Sequence, residues 1–246
     1  MIEQYLLGIR PSTEKGIHLG HYIGIIKPAQ KLENLDVLIA NLYDHETYEY
    51  IFEVQLKRFL LNVRAIYVQS CSVRELLSMQ NMLSRIISVS QLTRMTQYKS
   101  KENPTVNLLT YPLLMTADLM FYGNGCNIVC GTDQHQHIQY ANDFIEKYNK
   151  HYKTNEKTVK VFSQPSYRVM DLKYPEHKMS KSLHNEPLYL SDSKEIIEEK
   201  IMKAVTNELG MLNLKNIYKE LCGIESTHTL AKELKEDILT EILKII

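Results

Sequence analysis

Residues 8–24 read GIRPSTEKGIHLGHYIG, and the turn they form decides the fold. The apolar run Tyr5-Leu6-Leu7 leads in, and a patterned segment over residues 22–32 leads out. That order of strand, glycine-containing loop and helix opens a parallel α/β unit. Inside the turn lies His18-Leu19-Gly20-His21. Gly20 removes a side chain where the helix begins, so a flat group can lie against the backbone. Free N–H groups and the positive end of the helix dipole suit an anion there. His18 and His21, three apart, can share one side of the first turn and donate to phosphate oxygens. The same letters also fit an ordinary strand-to-helix turn with two surface histidines. A four-residue match does not separate these readings, so a second half of the site has to be found downstream.

Composition narrows the class. A chain of 246 residues holds one α/β domain with room for a small appended one. Hydrophobic residues at 44% and charged residues at 24% fit a soluble globular protein with a sizeable core. No apolar stretch approaches the ~18 residues of a membrane span. The start, MIEQYLLGIR, is too short and too acidic for a signal peptide. Four cysteines without regular pairs fit a reducing compartment and hence a cytoplasmic location. Lysine plus arginine equal aspartate plus glutamate at 29 each. A nucleic-acid partner must therefore be met by a local basic patch.

Along the chain, Pro28 is expected to kink the first helix or end it early. Residues 36–42, DVLIANL, read as a second strand that ends in Tyr43-Asp44-His45-Glu46-Thr47. Carboxyl ends of parallel strands face the ligand crevice. Asp44, His45 and Glu46 are either metal ligands or part of a solvated, helix-starting loop. Residues 53–68 are patterned as a helix that ends in a short third strand, 65–68. Residues 73–87 carry leucines and methionines at helical spacing, the mark of core or of a subunit interface. Residues 92–101 are basic and irregular, either a solvated loop or one bearing a lysine that reaches a triphosphate.

Residues 110–122, TYPLLMTADLMFY, are apolar with one carboxylate, Asp118, and Pro112 suits the first turn of a helix. A buried carboxylate is costly unless hydrogen-bonded. Asp118 therefore either bonds neighbouring backbone or accepts from a buried ligand N–H. Residues 126–130, CNIVC, read as a strand, followed by GTDQHQH and a helix to Tyr148. A zinc reading is set aside, because Cys126 and Cys130 lie too far apart along a strand and His135 and His137 diverge on a helix. Residues 147–160 form a lysine-rich surface connection and the best local basic patch. Then comes Lys178-Met179-Ser180-Lys181-Ser182. Two lysines three apart, interleaved with small hydroxyls, can wrap a triphosphate. Paired with HLGH about 160 residues earlier, this loop is not easily chance.

The pair HLGH and KMSKS resembles the signature of class I aminoacyl-tRNA synthetases, and the wider match is to the bacterial tryptophanyl-tRNA synthetases. The matching stretches are GIRPS, HLGHYIG, RMTQYKSK, LLTYPLLMTADLMFY, GTDQHQHI, VMDLKYPEHKMSKS, KIMKAVT and NLKNIYKELCG. They reach from Leu7 to about Gly223. The resemblance implies a Rossmann-like parallel-sheet catalytic domain over 1–182 and a reduced helical tail over 183–246. It implies ATP-dependent formation of tryptophanyl-adenylate, transfer to tRNA(Trp), Mg²⁺ and a homodimer with no membrane association. Tyr111 and Gln134 would hold the α-amino group. Asp118 would accept the indole N–H, and Met115 and Cys130 would line the indole pocket. His18 and His21 would bind phosphates, while Lys101, Lys178 and Lys181 would grip the leaving pyrophosphate. Arg10, Gly20, Gly131, Asp133, Met170, Ser180 and Ser182 complete the implied ATP site.

The chain also departs from the family. PSTEKG lengthens the first turn, Asn41 and Tyr43 replace the usual aspartate and histidine, and residues 183–246 are short and acidic. Three other readings stand beside the main one. They are a tyrosyl enzyme, a tRNA-independent amino-acid adenylating paralogue and a catalytically silent tryptophan sensor.

Overall fold

In the computed structural model, which describes residues 3–42, 48–131, 134–162, 168–180 and 186–246, the chain divides into two units. The first comprises Met1–Pro11, Leu32–Glu49 and Leu61–Gln164. The second comprises Ser12–Lys31, Tyr50–Leu60 and Pro165–Ile246. These units interleave along the chain and do not coincide with a cut at residue 182.

The first unit carries the sheet. Its strands are β1 (Tyr5–Ile9), β2 (Leu35–Ile39), β3 (Val63–Val68), β4 (Asn127–Val129) and β5 (Lys160–Phe162). All pairings are parallel, in the order β3-β2-β1-β4-β5. The strand order reverses beside β1, which is the Rossmann-like arrangement and its switch point. Every residue of β2 is buried, as expected of a central strand covered on both faces. Its one charged residue, Asp36, is 3% exposed and is matched by Arg64, whose Nε donates to Oδ1 at 2.9 Å.

The helices are α1 (Leu19–His21), joined through a π-turn (Tyr22–Ile26) to α2 (Lys27–Ala29), then α3 (Glu49–Phe59), α4 (Val73–Ser84), α5 (Val89–Leu92), α6 (Thr96–Lys99), α7 (Val106–Phe121), α8 (His135–Tyr152), α9 (Lys194–Met202), α10 (Glu208–Cys222) and α11 (Ala231–Ile245). Pro28 sits at the start of α2, where the helix has just left the wider π register. The helix ends at Ala29, so it does end early.

Several boundaries differ from the sequence reading. Helix α7 starts at Val106, where the Thr105 hydroxyl caps Leu108 N–H at 3.2 Å. Pro112 is therefore in the helix interior and not in its first turn. Residues 92–101 hold short helical turns, introduced by a capping box of Ser88 and Gln91. The lysine-rich connection ends in a strand, β5, whose exposed edge position hides the usual apolar signal. The methionine-rich stripe splits: Leu76, Leu83, Ile87 and Leu92 are buried, while Leu77 and Val89 are exposed.

In the second unit α9 and α10 pack against α11 through Ile197, Ile201, Leu214, Ile217, Ile238 and Ile242. Two lysines serve as internal caps. Lys235 Nζ donates to Met202 O at 2.8 Å and Ala204 O at 2.7 Å, closing the end of α9. Lys27 Nζ donates to Leu221 O at 2.6 Å near the end of α10. Among the described residues, no helix is long and apolar enough to cross a membrane.

Candidate active site

The lengthened first turn closes on itself. Gly16 has φ +78°, a left-handed conformation, and a Cβ there would collide with the Gln55 amide. Thr13 Oγ1 donates to Gly16 O at 2.6 Å. Gln55, on α3, accepts from Ile17 N–H at 2.6 Å and donates to Lys15 O at 3.2 Å. The extra residues thus form a braced turn that delivers His18 to the start of α1.

His18 is the N-cap of α1, and its Nδ1 accepts from His21 N–H at 3.2 Å. A neutral imidazole that accepts through Nδ1 carries its proton on Nε2. Burial, with His21 and Lys178 nearby, lowers the His18 pKa to about 2. Burial and Lys178 lower that of His21 to about 4. The two rings stack, with centroids 3.6 Å apart and planes 18° off parallel. A Cβ on Gly20 would stand 3.0 Å from His18 Cε1 and 3.1 Å from its Nδ1. The flat group lying against Gly20 is therefore the His18 ring itself. Two first-turn N–H groups are engaged within the chain, His21 by His18 and Leu19 by Leu188 O at 2.8 Å. The histidine side chains, more than a bare helix end, are what this turn offers an anion.

Residues 169–179 form a hairpin. Met170 pairs antiparallel with Lys178, Asp171 N–H donates to His177 O at 2.8 Å, and Met179 N–H to Val169 O at 3.0 Å. Asp171 Oδ1 caps the bend, accepting from Lys173 N–H at 2.7 Å and Tyr174 N–H at 2.9 Å. The hairpin brings Lys178 close enough to depress both histidines. Ser180 follows directly. Lys181 and Ser182 lie outside the described residues. Beyond them, Tyr189 pairs with His18, and Leu190 N–H donates to Ile17 O at 3.0 Å. Asp192 fixes that return, accepting from Tyr189 N–H at 3.0 Å and from Lys200 Nζ at 2.7 Å. His18, Gly20, His21, Met170, Lys178 and Ser180 thus belong to one unit.

In the first unit Arg10 follows β1, and Cys130 and Gly131 follow β4, at the carboxyl ends of those strands; Gln69, which the sequence reading did not single out, follows β3 in the same way. Asp118, 4% exposed on α7, accepts at both oxygens from Gln69 Nε2, at 2.7 and 2.8 Å. Gln69 is fully buried, and its Oε1 accepts from Leu42 N–H at 2.8 Å. That second bond fixes which end of the amide faces the carboxylate. Asn41 takes a structural part, donating to Ser70 Oγ and accepting from Ser70 N–H, both at 2.9 Å. Met115 and Cys130 pack on the same apolar cluster around Leu38 and Ile128. Tyr111 meets His137 edge to face at 5.4 Å. Gln134 stands at the first position before α8, and its N–H donates to Gly131 O at 3.0 Å. Lys101 is exposed just after α6. Asp133, and the loop of Tyr43, Asp44, His45 and Glu46, lie outside the described residues. Among the described residues, no three His, Cys, Asp or Glu side chains are grouped to hold a metal ion. Sequence reasoning missed Gln55, Gln69 and Asn213, polar residues whose partners are far away in the chain.

Residues 3–244 match the family described as tRNA synthetases class I (W and Y). The tryptophan–tRNA ligase of Mycoplasma genitalium is 30% identical over 278 residues, covering 97% of this chain and 79% of that protein. The tryptophan–tRNA ligase of Bacillus anthracis is 32% identical over 254 residues, covering 88% and 74%. The crystal structure of tryptophanyl-tRNA synthetase from Mycoplasma pneumoniae superposes with a TM-score of 0.78 at 26% identity, covering 98% of this chain and 84% of that one. Tyrosyl-tRNA synthetase from Aeropyrum pernix, at 17% identity and a TM-score of 0.72 over 100% and 84%, shares the fold.

Proposed function

Because the chain belongs to the class I tRNA synthetases of the tryptophan and tyrosine type, we propose that it activates tryptophan with ATP and transfers it to tRNA(Trp). The observation that carries this reading is the cluster of His18, His21 and Lys178. Two buried neutral imidazoles and one ammonium form a donor set for a polyphosphate. The tryptophan carboxylate attacks the α-phosphorus, pyrophosphate leaves, and the terminal ribose hydroxyl of the tRNA then takes the acyl group, releasing AMP. No protein nucleophile is required. Catalysis rests on positioning and on stabilising charge as it develops.

His18 donates through Nε2–H, its Nδ1 being held by the cap. A neutral donor orients phosphate without competing as a counter-ion, and Lys178 supplies the charge. Lys101, Lys181, Arg10 and Ser182 are assigned to the same phosphates, and Gly131, Asp133, Met170 and Ser180 to the rest of ATP. Asp118, held by Gln69 at both carboxylate oxygens, takes the indole N–H. Met115 and Cys130 line the ring pocket, and Tyr111 and Gln134 hold the amino group. Among the described residues, no three His, Cys, Asp or Glu side chains are grouped to hold Mg²⁺. It would arrive on the ATP phosphates, where it would neutralise part of their charge. We further propose a cytoplasmic homodimer, for which the exposed Leu77 and Val89 offer an apolar surface.

Pyrophosphate exchange with tryptophan and with tyrosine tests the proposal. Exchange with tryptophan alone is expected, and it should fall on the order of 10²-fold in Lys178→Ala. Exchange with tyrosine would overturn the amino-acid assignment. No exchange with either would leave a binding protein.

A further inference from the structure

Helix α10 opens at Asn207, whose Oδ1 caps Gly210 N–H at 2.8 Å. Gly210 admits no side chain, because a Cβ would collide with Val205 O. Val205 N–H in turn donates to Leu172 O at 2.8 Å, next to the bend of the lysine hairpin. One turn along α10 stands Asn213, 2% exposed. Its Oδ1 accepts from Met170 N–H at 3.0 Å and its Nδ2 donates to Met170 O at 3.0 Å. One carboxamide thus meets both main-chain groups of one residue, as a neighbouring strand would. Met170 is the residue paired with Lys178.

Packing gives no reason for asparagine at this position. It sits on the buried face of α10 with Leu214, Ile217 and Leu221. Asparagine is a modest helix former, and a buried amide is costly unless bonded. A leucine would suit the apolar face better. The amide supplies a grip on Met170 that leucine cannot.

We infer that Asn213 is a positioning residue for adenylate formation, holding the Met170 strand and, through its pairing, the reach of Lys178. This rests on the reading of the hairpin as the pyrophosphate grip. The ammonium acts over a few ångströms, and a misplacement of about 1 Å can cost on the order of 10²-fold. The α10 segment that the sequence presents as a tail is in these terms the seat of the hairpin.

The test uses the full chain. Asn213→Asp keeps the size but sets a second oxygen against Met170 O, and Asn213→Leu removes both bonds. Pyrophosphate exchange in each is expected to lose roughly 10- to 100-fold in kcat, with KM for tryptophan within about twofold of the parent. If Asn213→Leu fails to fold, Asn213→Asp carries the measurement. The decisive readout is the cycle with Lys178→Ala: adding Asn213→Asp to that background should cost little more, because both act through one ammonium. Parent-like exchange in a folded Asn213 variant would overturn the inference, and so would a fully additive cycle. Unimpaired exchange in Lys178→Ala would overturn the reading of the hairpin and the inference with it.

Discussion

Asp118 and Gln69 form a buried pair in which one amide nitrogen donates to both carboxylate oxygens, at 2.7 and 2.8 Å. A lone carboxylate inside LLMTADLMF calls for a hydrogen-bond donor, and that need is visible in the letters. The donor, Gln69, lies 49 residues away, just after β3. Nothing in YVQSCS distinguishes a buried, oriented amide from a polar strand end, because only tertiary structure sets Leu42 N–H against Oε1. Gln69→Leu should therefore leave the Asp118 carboxylate short of two bonds. We expect a loss of about 1–3 kcal/mol in urea unfolding. We also expect a weaker preference for tryptophan over an analogue with carbon in place of the ring nitrogen, since a site built on a polar pair discriminates through it. Unchanged preference alongside lowered stability would make the pair structural.

The histidine turn illustrates what an element adds to its residues. The order of strand, glycine loop and helix was legible because period and punctuation change together at residues 8–24. The brace was not, since Gln55 comes from α3. Gly16→Ala brings both the left-handed strain and the collision with Gln55. It should destabilise by at least about 1–2 kcal/mol and lower exchange by disturbing the delivery of His18. An intact exchange rate would show the brace and the histidines to be independent.

The paired imidazoles give the element a pH signature. Their pKa values lie near 2 and 4 in the fold, against 6.5 for a free histidine. Below pH 6.5 the unfolded chain binds more protons than the folded one, so stability rises with pH there. The contribution is complete above about 6.5, falls for both rings towards pH 4, and below that for His18 alone. Urea midpoints should drop from about pH 7 to pH 5 in the parent, and less steeply in the His18→Gln, His21→Gln double variant. Equal slopes would mean that the rings are not held neutral.

At the scale of the molecule, the motifs and the folding units cut the chain differently. HLGH and KMSKS suggest a catalytic part that finishes at residue 182, because motif spacing marks chemistry and not packing. The second unit is built from Ser12–Lys31, Tyr50–Leu60 and Pro165–Ile246. About half of its buried apolar side chains lie past residue 182, including Ile197, Ile201, Leu214, Ile217 and Ile242. A fully buried side chain of this size contributes about 1.5–3 kcal/mol, so the histidine turn and hairpin would lose about half of the core they rest on. Residues 183–246 also supply Leu188 O to the histidine turn and Asn213 to the hairpin. The first unit keeps all of its segments in a chain cut at residue 182. Such a fragment is therefore expected to retain protected amides in β1, β2 and β4 by hydrogen exchange, to lose protection over residues 17–29, and to show no tryptophan-dependent pyrophosphate exchange. Mixing in a separate 183–246 peptide should restore part of the activity only if that segment acts by packing. Exchange in the truncated chain at more than about a tenth of the parental rate would refute this, since a misplaced phosphate grip costs on the order of 10²-fold.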